Sequence, residues 1–323
     1  MKFSLALARI ATAAGFALAA AGAVAQAYPT KGITVIAPFP AGGSADGIAR
    51  LVARELSQSM GQPVVVDNRP GAGGATGLIA VARSPADGYT IGMGATGAIA
   101  IAPHLPDAPP LHPDKQLQPL AKLADIPLVF VAGASSGYNN LQSLITKARS
   151  SDVSLGNPGQ YTAHHLAAEL LASVTSARLT GVPYRGSAPA VTDVLGGQVP
   201  VAIVDLTSIA PHLKTGAARA LAVTSASRTR LAPDIPTVVE AGVPGYVAPA
   251  WMGLFAPKGL PPAVGERLEK ELQSIMAKPE VQQQILALSA EPSHLGGAQF
   301  ASFIDAESKR WAGVIARLPK PQK

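Results

Sequence analysis

Short apolar runs that each end in a small-residue turn and feed a helix fill residues 33–98, and this alternation constrains the fold more than any other stretch. Ile33–Ala37 is a β-rich apolar run. Ala45–Met60 carries Ile48, Leu51, Val52 and Leu56 at i, i+3, i+4 and i+8, the spacing of one helix face. Val64–Val66 reads as a second strand, Thr76–Arg83 as a short helix and Tyr89–Met93 as a third strand. Strands alternating with helices predict a βαβαβ unit of the α/β class, with a parallel sheet and right-handed crossovers.

Ligands in such sheets sit outside the carboxyl ends of the strands, where loops meet helix N-termini. The first of those loops is Pro38-Phe39-Pro40-Ala41-Gly42-Gly43-Ser44. Adjacent glycines turn without a Cβ penalty, and the helix start behind them offers unpaired N–H groups and the positive end of its dipole. Asp46 falls in the first helical turn, where a carboxylate is favoured. Two readings fit this loop: a turn capped by Ser44, or an anion site. Gly71-Ala72-Gly73-Gly74 repeats the theme after the second strand, which is the wrong place for a dinucleotide fingerprint. Gly94–Ala98 closes the third strand with small residues and the Thr96 hydroxyl.

Further along, Pro103, Pro106, Pro109, Pro110, Pro113 and Pro119 preclude a long regular element. His104 and His112 lie among them as loop residues, without the spacing or thiolate partners of a zinc site, so no metal is expected. Leu128–Ala132 is an apolar strand taken as the crossing into a second domain. Gly133-Ala134-Ser135-Ser136-Gly137 matches G-x-S-x-G, which raises a serine hydrolase using Ser135 as a rival reading. A nucleophile elbow needs a helix at once after the serine, whereas the next helix begins near Leu141 with Asn140 as its cap.

Ser154–Gly156 predicts a strand, Asn157–Thr162 a polar loop and Ala163–Ser173 a helix, mirroring the first-domain loop. His165 sits one turn into that helix, either as a structural residue or as a ligand contact. Thr180–Pro183 and Val199–Val204 read as strands, with a helix from Tyr184 to Leu195 between them. Asp205 stands at a strand's carboxyl end, as an Asx turn or as a ligand contact. Arg219–Thr224 is the next strand and Pro233–Pro244 a rigid connection. Trp251–Ala256 is read as the return to the first domain. Pro262–Ala277, Glu280–Leu288 and Ala298–Arg317 predict helices, the last with an apolar aromatic stripe suited to a core.

Met1–Ala27 has a basic start at Lys2 and Arg9, an apolar run from about Ile10 to Val24 and A-x-A sites, the pattern of a signal peptide cleaved near Ala27. Cysteine is absent, which excludes disulfides and an N-terminal lipid anchor. Without Lys2 and Arg9, 24 basic residues face 20 acidic ones, a mild excess with no basic run, so nucleic acid is not indicated.

The stretch YPTKGITVIAPFPAGGSADGIARLVARELSQSMGQPVVVDNRPGAGGATG, followed by SPADGYTIGMG, resembles the Bug family, the periplasmic solute-binding proteins of tripartite tricarboxylate transporters. The resemblance resumes at VPYRGSAPAVTDVLGGQVPVAIVD, RALAVTS, LAPDIPTVVEAGVPGY and WMGLFAPKGLP. It implies a two-lobed Venus-flytrap fold of type II with two crossing segments. The first domain would comprise residues 28–126 and 250–323, the second residues 127–249. It further implies a monomer without cofactor or catalytic residue that captures a small carboxylate and delivers it to membrane permease subunits. Scavenging or sensing without a cognate transporter is the alternative. The carboxylate would face Phe39, Ala41, Gly42, Gly43 and Ser44, partly through water, with Thr96 beside them. Gln160, Tyr161, Thr162 and Asp205 would select the remainder. The family's loop before His-Leu is glycine- and serine-rich, so Gln160 and Tyr161 depart from it.

Overall fold

The computed structural model describes residues 28–317, so the expected signal segment lies outside the described residues. The chain begins as the periodicity predicts. β1 (Ile33–Ala37) leads to α1 (Ser44–Met60), which stops at Gly61 in the left-handed region with its N–H on Ser57 O. β2 (Val64–Asn68), α2 (Ala75–Ala82) and β3 (Thr90–Ala95) follow. β1 lies between β2 and β3 and is parallel to both, as the βαβαβ reading requires.

After β3 the chain makes a tight helical turn at Gly97–Ile101 and runs through the proline-rich segment to β4 (Leu117–Ile126). Only Pro127 separates β4 from β5 (Leu128–Gly133), and there the chain passes from one sheet to another. Next come α3 (Leu141–Ser150), β6 (Val153–Asn157), α4 (Ala163–Thr175), β7 (Leu179–Pro183), α5 (Ser187–Leu195), β8 (Val201–Asp205), α6 (Leu206–Lys214) and β9 (Ala218–Val223). Asn140 caps α3 as expected, in a capping box with Ser143. The chain returns through β10 (Ala250–Pro257) and ends in α7 (Pro262–Met276), α8 (Pro279–Ala287), β11 (Glu291–Gly296) and α9 (Gly297–Ile315).

Two sheets result, of order β11-β4-β10-β3-β1-β2 and β7-β6-β8-β5-β9, each the floor of one lobe. β5 is therefore a member of the second sheet, between β8 and β9, and the crossing itself is the turn at Pro127. The two crossings run side by side, since Thr224 N–H donates to Leu128 O and Ala248 N–H to Thr224 O. α9 packs onto the first lobe: Trp251 of β10 meets Phe300 and Phe303 edge-on, with ring centroids 5.3 and 5.6 Å apart.

Three elements were not foreseen. β4 holds Pro119 and Lys122, which disguise a strand. Pro119 sits beside a register shift against β10. Lys122 is buried yet reaches Asp125 at 2.7 Å and Ser293 Oγ at 3.0 Å, with Phe303 under its ammonium. β11 has Leu295 as its one large apolar residue and pairs only at the edge of the sheet. α6 contains Pro211, which removes one helical hydrogen bond and reads as a breaker.

Candidate functional site

A cleft of about 360 Å³ opens between the lobes. Its walls are the β1–α1 loop, the end of β3 and, from the second lobe, the starts of α4, α5 and α6, which follow β6, β7 and β8. Four helix N-termini therefore face one space, each at the carboxyl end of a strand. Their first-turn N–H groups have no intrahelical partner, and their dipoles add a positive potential there.

In the first lobe, Gly42 adopts φ +90, and its N–H donates to Asp46 Oδ2 at 3.0 Å. Asp46 also accepts from Arg50 Nε at 3.0 Å and Asn68 Nδ2 at 2.8 Å. Burial alone would raise its pKa, but the bonds from Arg50 and Asn68 hold it below the usual carboxylate range. Asp46 thus clamps the loop from behind. Ser44 is not the cap: Gly43 occupies that position without a side-chain bond, and Ser44 is the first helical residue. Among the described residues, the N–H groups of Gly43, Ser44 and Ala45 have no partner, whereas that of Gly42 is taken. Glycine is required by the backbone at 42; Gly43, at φ −85, would meet nothing nearer than 4.0 Å with a Cβ.

From the second lobe, Asp205 Oδ1 accepts from His164 Nε2 at 2.9 Å, and Oδ2 accepts from Ser187 Oγ at 3.2 Å. Ser44 Oγ reaches the same Oδ2 at 3.4 Å and so joins the lobes. Burial again raises the carboxyl pKa, and the charge and hydrogen bond of His164 outweigh it, so Asp205 sits below its ordinary value. Arg185, exposed at the start of α5, lines the cleft and has no ion pair among the described residues.

Phe39, Ala41, Gly42, Gly43, Ser44, Thr96, Thr162 and Asp205 all line this cleft. Two of them are otherwise engaged. Thr96 Oγ1 accepts from Trp251 N–H at 2.8 Å and donates to Trp251 O at 3.3 Å, which fastens β3 to β10. Thr162 caps α4, accepting from His165 N–H at 3.2 Å and donating to Gly159 O at 2.7 Å. Gln160 and Tyr161 fall outside the walls. Tyr161, at φ +63, sends its hydroxyl to Asp107 O at 2.7 Å in the proline-rich segment of the other lobe. Their main chain presses on first-lobe glycines: a Cβ on Gly73 would lie 2.7 Å from Gln160 O, and one on Gly97 would strike Tyr161 O and Thr162 Cα. They join the lobes and do not face the cleft.

The histidine at the cleft is His164, not His165. His165 turns toward Glu169 at 3.9 Å, where burial lowers its pKa. Helix phase would have separated the two, because the first turn of α4 points one of any adjacent pair into the cleft. Arg185 and Ser187 were also missed, although both lie in the quoted YRGSAP motif. Ser135 is remote. β5 runs antiparallel to β8 with Leu128 opposite Asp205, so Gly133 lies about 16 Å along the strand from the cleft. Ser135 has no histidine partner among the described residues.

The family model for the tripartite tricarboxylate transporter family receptor matches residues 48–319. Three solved structures share the whole architecture. Rpa4515 of R. palustris with adipate is 32% identical, with TM-score 0.84 over 90% of this chain and 98% of that one. The periplasmic binding protein BugD is 33% identical, with TM-score 0.83 over 90% and 98%. MatC from Rhodopseudomonas palustris with bound malate is 29% identical, with TM-score 0.83 over 89% and 100%. A family match across most of the chain, two lobes around one cleft and these likenesses agree: the chain belongs to the tripartite tricarboxylate transporter receptor family, the Bug-type periplasmic binding proteins.

Proposed function

We propose that this protein is an exported solute-binding protein that closes its lobes on a small carboxylate in the periplasm and presents it to a tripartite tricarboxylate-type permease. The observation that carries this reading is the convergence of four helix N-termini, from both lobes, on a cleft holding an unpaired guanidinium. Backbone donors and dipoles of this kind favour an anion without any catalytic residue. The adipate and malate held by two of the structural relatives support the same class of ligand. Residues 28–126 with 250–323 would move as one lobe and residues 127–249 as the other, hinged at the paired crossings. Ligand stabilises closure because it touches both half-sites only in the closed form. The protein acts in this reading as a monomer, with no cofactor or metal.

Within the cleft, the Gly43–Ala45 N–H groups hold the carboxylate, directly or through water. Calorimetric titration of an acid that binds, and of its neutral amide, tests this. The acid should bind about tenfold to a hundredfold more tightly, the worth of a charge-assisted contact. Gly43→Val should shrink that gap while the protein stays folded, since the backbone at 43 admits a side chain. An amide that binds as well as the acid would refute the anion site.

A further inference from the structure

Tyr161 holds a backbone conformation that its own side chain disfavours. It sits at φ +63, in the left-handed region, which glycine enters freely and a residue with a Cβ enters at a cost. Outliers of this kind persist where surrounding contacts hold them, and here those contacts come from the other lobe. The Tyr161 hydroxyl donates to Asp107 O at 2.7 Å. Its main chain lies against Gly73 and Gly97, where a Cβ on either would crowd it.

The acceptor is stiff. Asp107 stands between Pro106 and the Pro109-Pro110 pair, whose rings fix φ and leave little freedom to lose when the bond forms. Neither Tyr161 nor Asp107 lines the cleft, so a ligand there does not compete for this bond. Ser44 Oγ also reaches across, to Asp205, but at 3.4 Å and inside the cleft, where a ligand does compete. A bond made only when the lobes meet adds its free energy to the closed form alone. It therefore shifts the balance of open and closed forms, and affinity moves with that balance.

Resting on the two-lobe binding reading above, we infer that Tyr161 is a strap: its hydroxyl bond to Asp107 holds the lobes together before ligand arrives and so raises affinity for whatever the cleft takes. It is a positioning residue and touches no ligand. One exposed hydrogen bond of this kind moves such an equilibrium about twofold to tenfold.

Pulsed electron paramagnetic resonance tests the strap without any ligand. The chain has no cysteine, so Gln58→Cys and Gln198→Cys take one spin label each. Both positions are exposed, one near the end of α1 and one just before β8, at the far ends of their lobes from the cleft. The labelled protein should show a short-distance population when free. Tyr161→Phe and Tyr161→Gly should each lower the ratio of short to long distances about twofold to tenfold. Tyr161→Gly also relieves the left-handed backbone, so a merely local role predicts a higher melting temperature with the distances unchanged. In calorimetry adipate, the acid held by Rpa4515, should bind both variants more weakly by up to the same factor. A free protein with no short-distance population, or variants that keep the original distances, overturns the strap and leaves the carboxylate reading standing. That reading falls on the acid-and-amide comparison instead, and if adipate does not bind, the distances alone decide the strap.

Discussion

Asp205 concentrates the electrostatics of the cleft in one side chain. It receives three side-chain donors, one of them from the opposite lobe. Removing it leaves those donors unpaired, so Asp205→Ala should destabilise the protein by about 1.5–3 kcal/mol in urea denaturation. Ser44→Ala removes only the long 3.4 Å contact and should cost under about 1 kcal/mol. Several lowered pKa values shape the pH dependence, and two of them belong to Asp205 and His165. The ionised form of Asp205 that these donors favour is present above pH ~4, and its contribution is lost as pH falls through the lowered value. Burial disfavours the charged form of His165, so its contribution is present above pH ~6.5 and is lost on acidification below that. Melting temperature should therefore decline in two stages from pH 7 downward, and His165→Gln should flatten only the upper stage. A profile unchanged by His165→Gln would show that this histidine does not titrate differently on folding.

Elements whose hydrophobic period stands clear of their polar residues were legible. β1, α1 and the aromatic stripe of α9 lie where the spacing put them. β4, β11 and α6 were not, because Pro119, Lys122 and Pro211 interrupt a pattern that tertiary partners restore. Loop glycines carry a second kind of information. Gly97 begins the turn after β3, and its bare Cα lets the Tyr161–Thr162 main chain of the other lobe approach. Gly97→Ala should fold, since the turn itself admits alanine, yet it should hold the lobes apart. Ligand affinity is expected to fall tenfold or more by calorimetry, an effect of closure and not of any lost ligand contact. Equal affinity would show that the lobes need not meet there.

The whole molecule is two sheets on paired crossings, and that arrangement predicts motion. Small-angle scattering should give a smaller radius of gyration when an acid is bound, and the same radius with and without saturating acid would argue against a hinge. Export is a separate expectation from Met1–Ala27: intact mass of protein from a periplasmic extract should begin at or near Tyr28. Recovery of the full-length chain with membranes would contradict it.

The sequence by itself determined the α/β class, the order of most strands and helices and the glycine-bearing loop before α1, because hydrophobic period and turn chemistry are local properties of the chain. It also placed Asp205 at a strand's carboxyl end. Tertiary structure decided which loop donors are free, since the Gly42 N–H is taken by Asp46 from one turn away and Asn68 completes that clamp from another strand. It decided that His164 and not His165 meets Asp205, because that partner comes from 41 residues away. And it turned Gln160 and Tyr161 from ligand contacts into a junction between lobes: only the docking of two separately folded sheets brings Asp107, Gly73 and Gly97 against them.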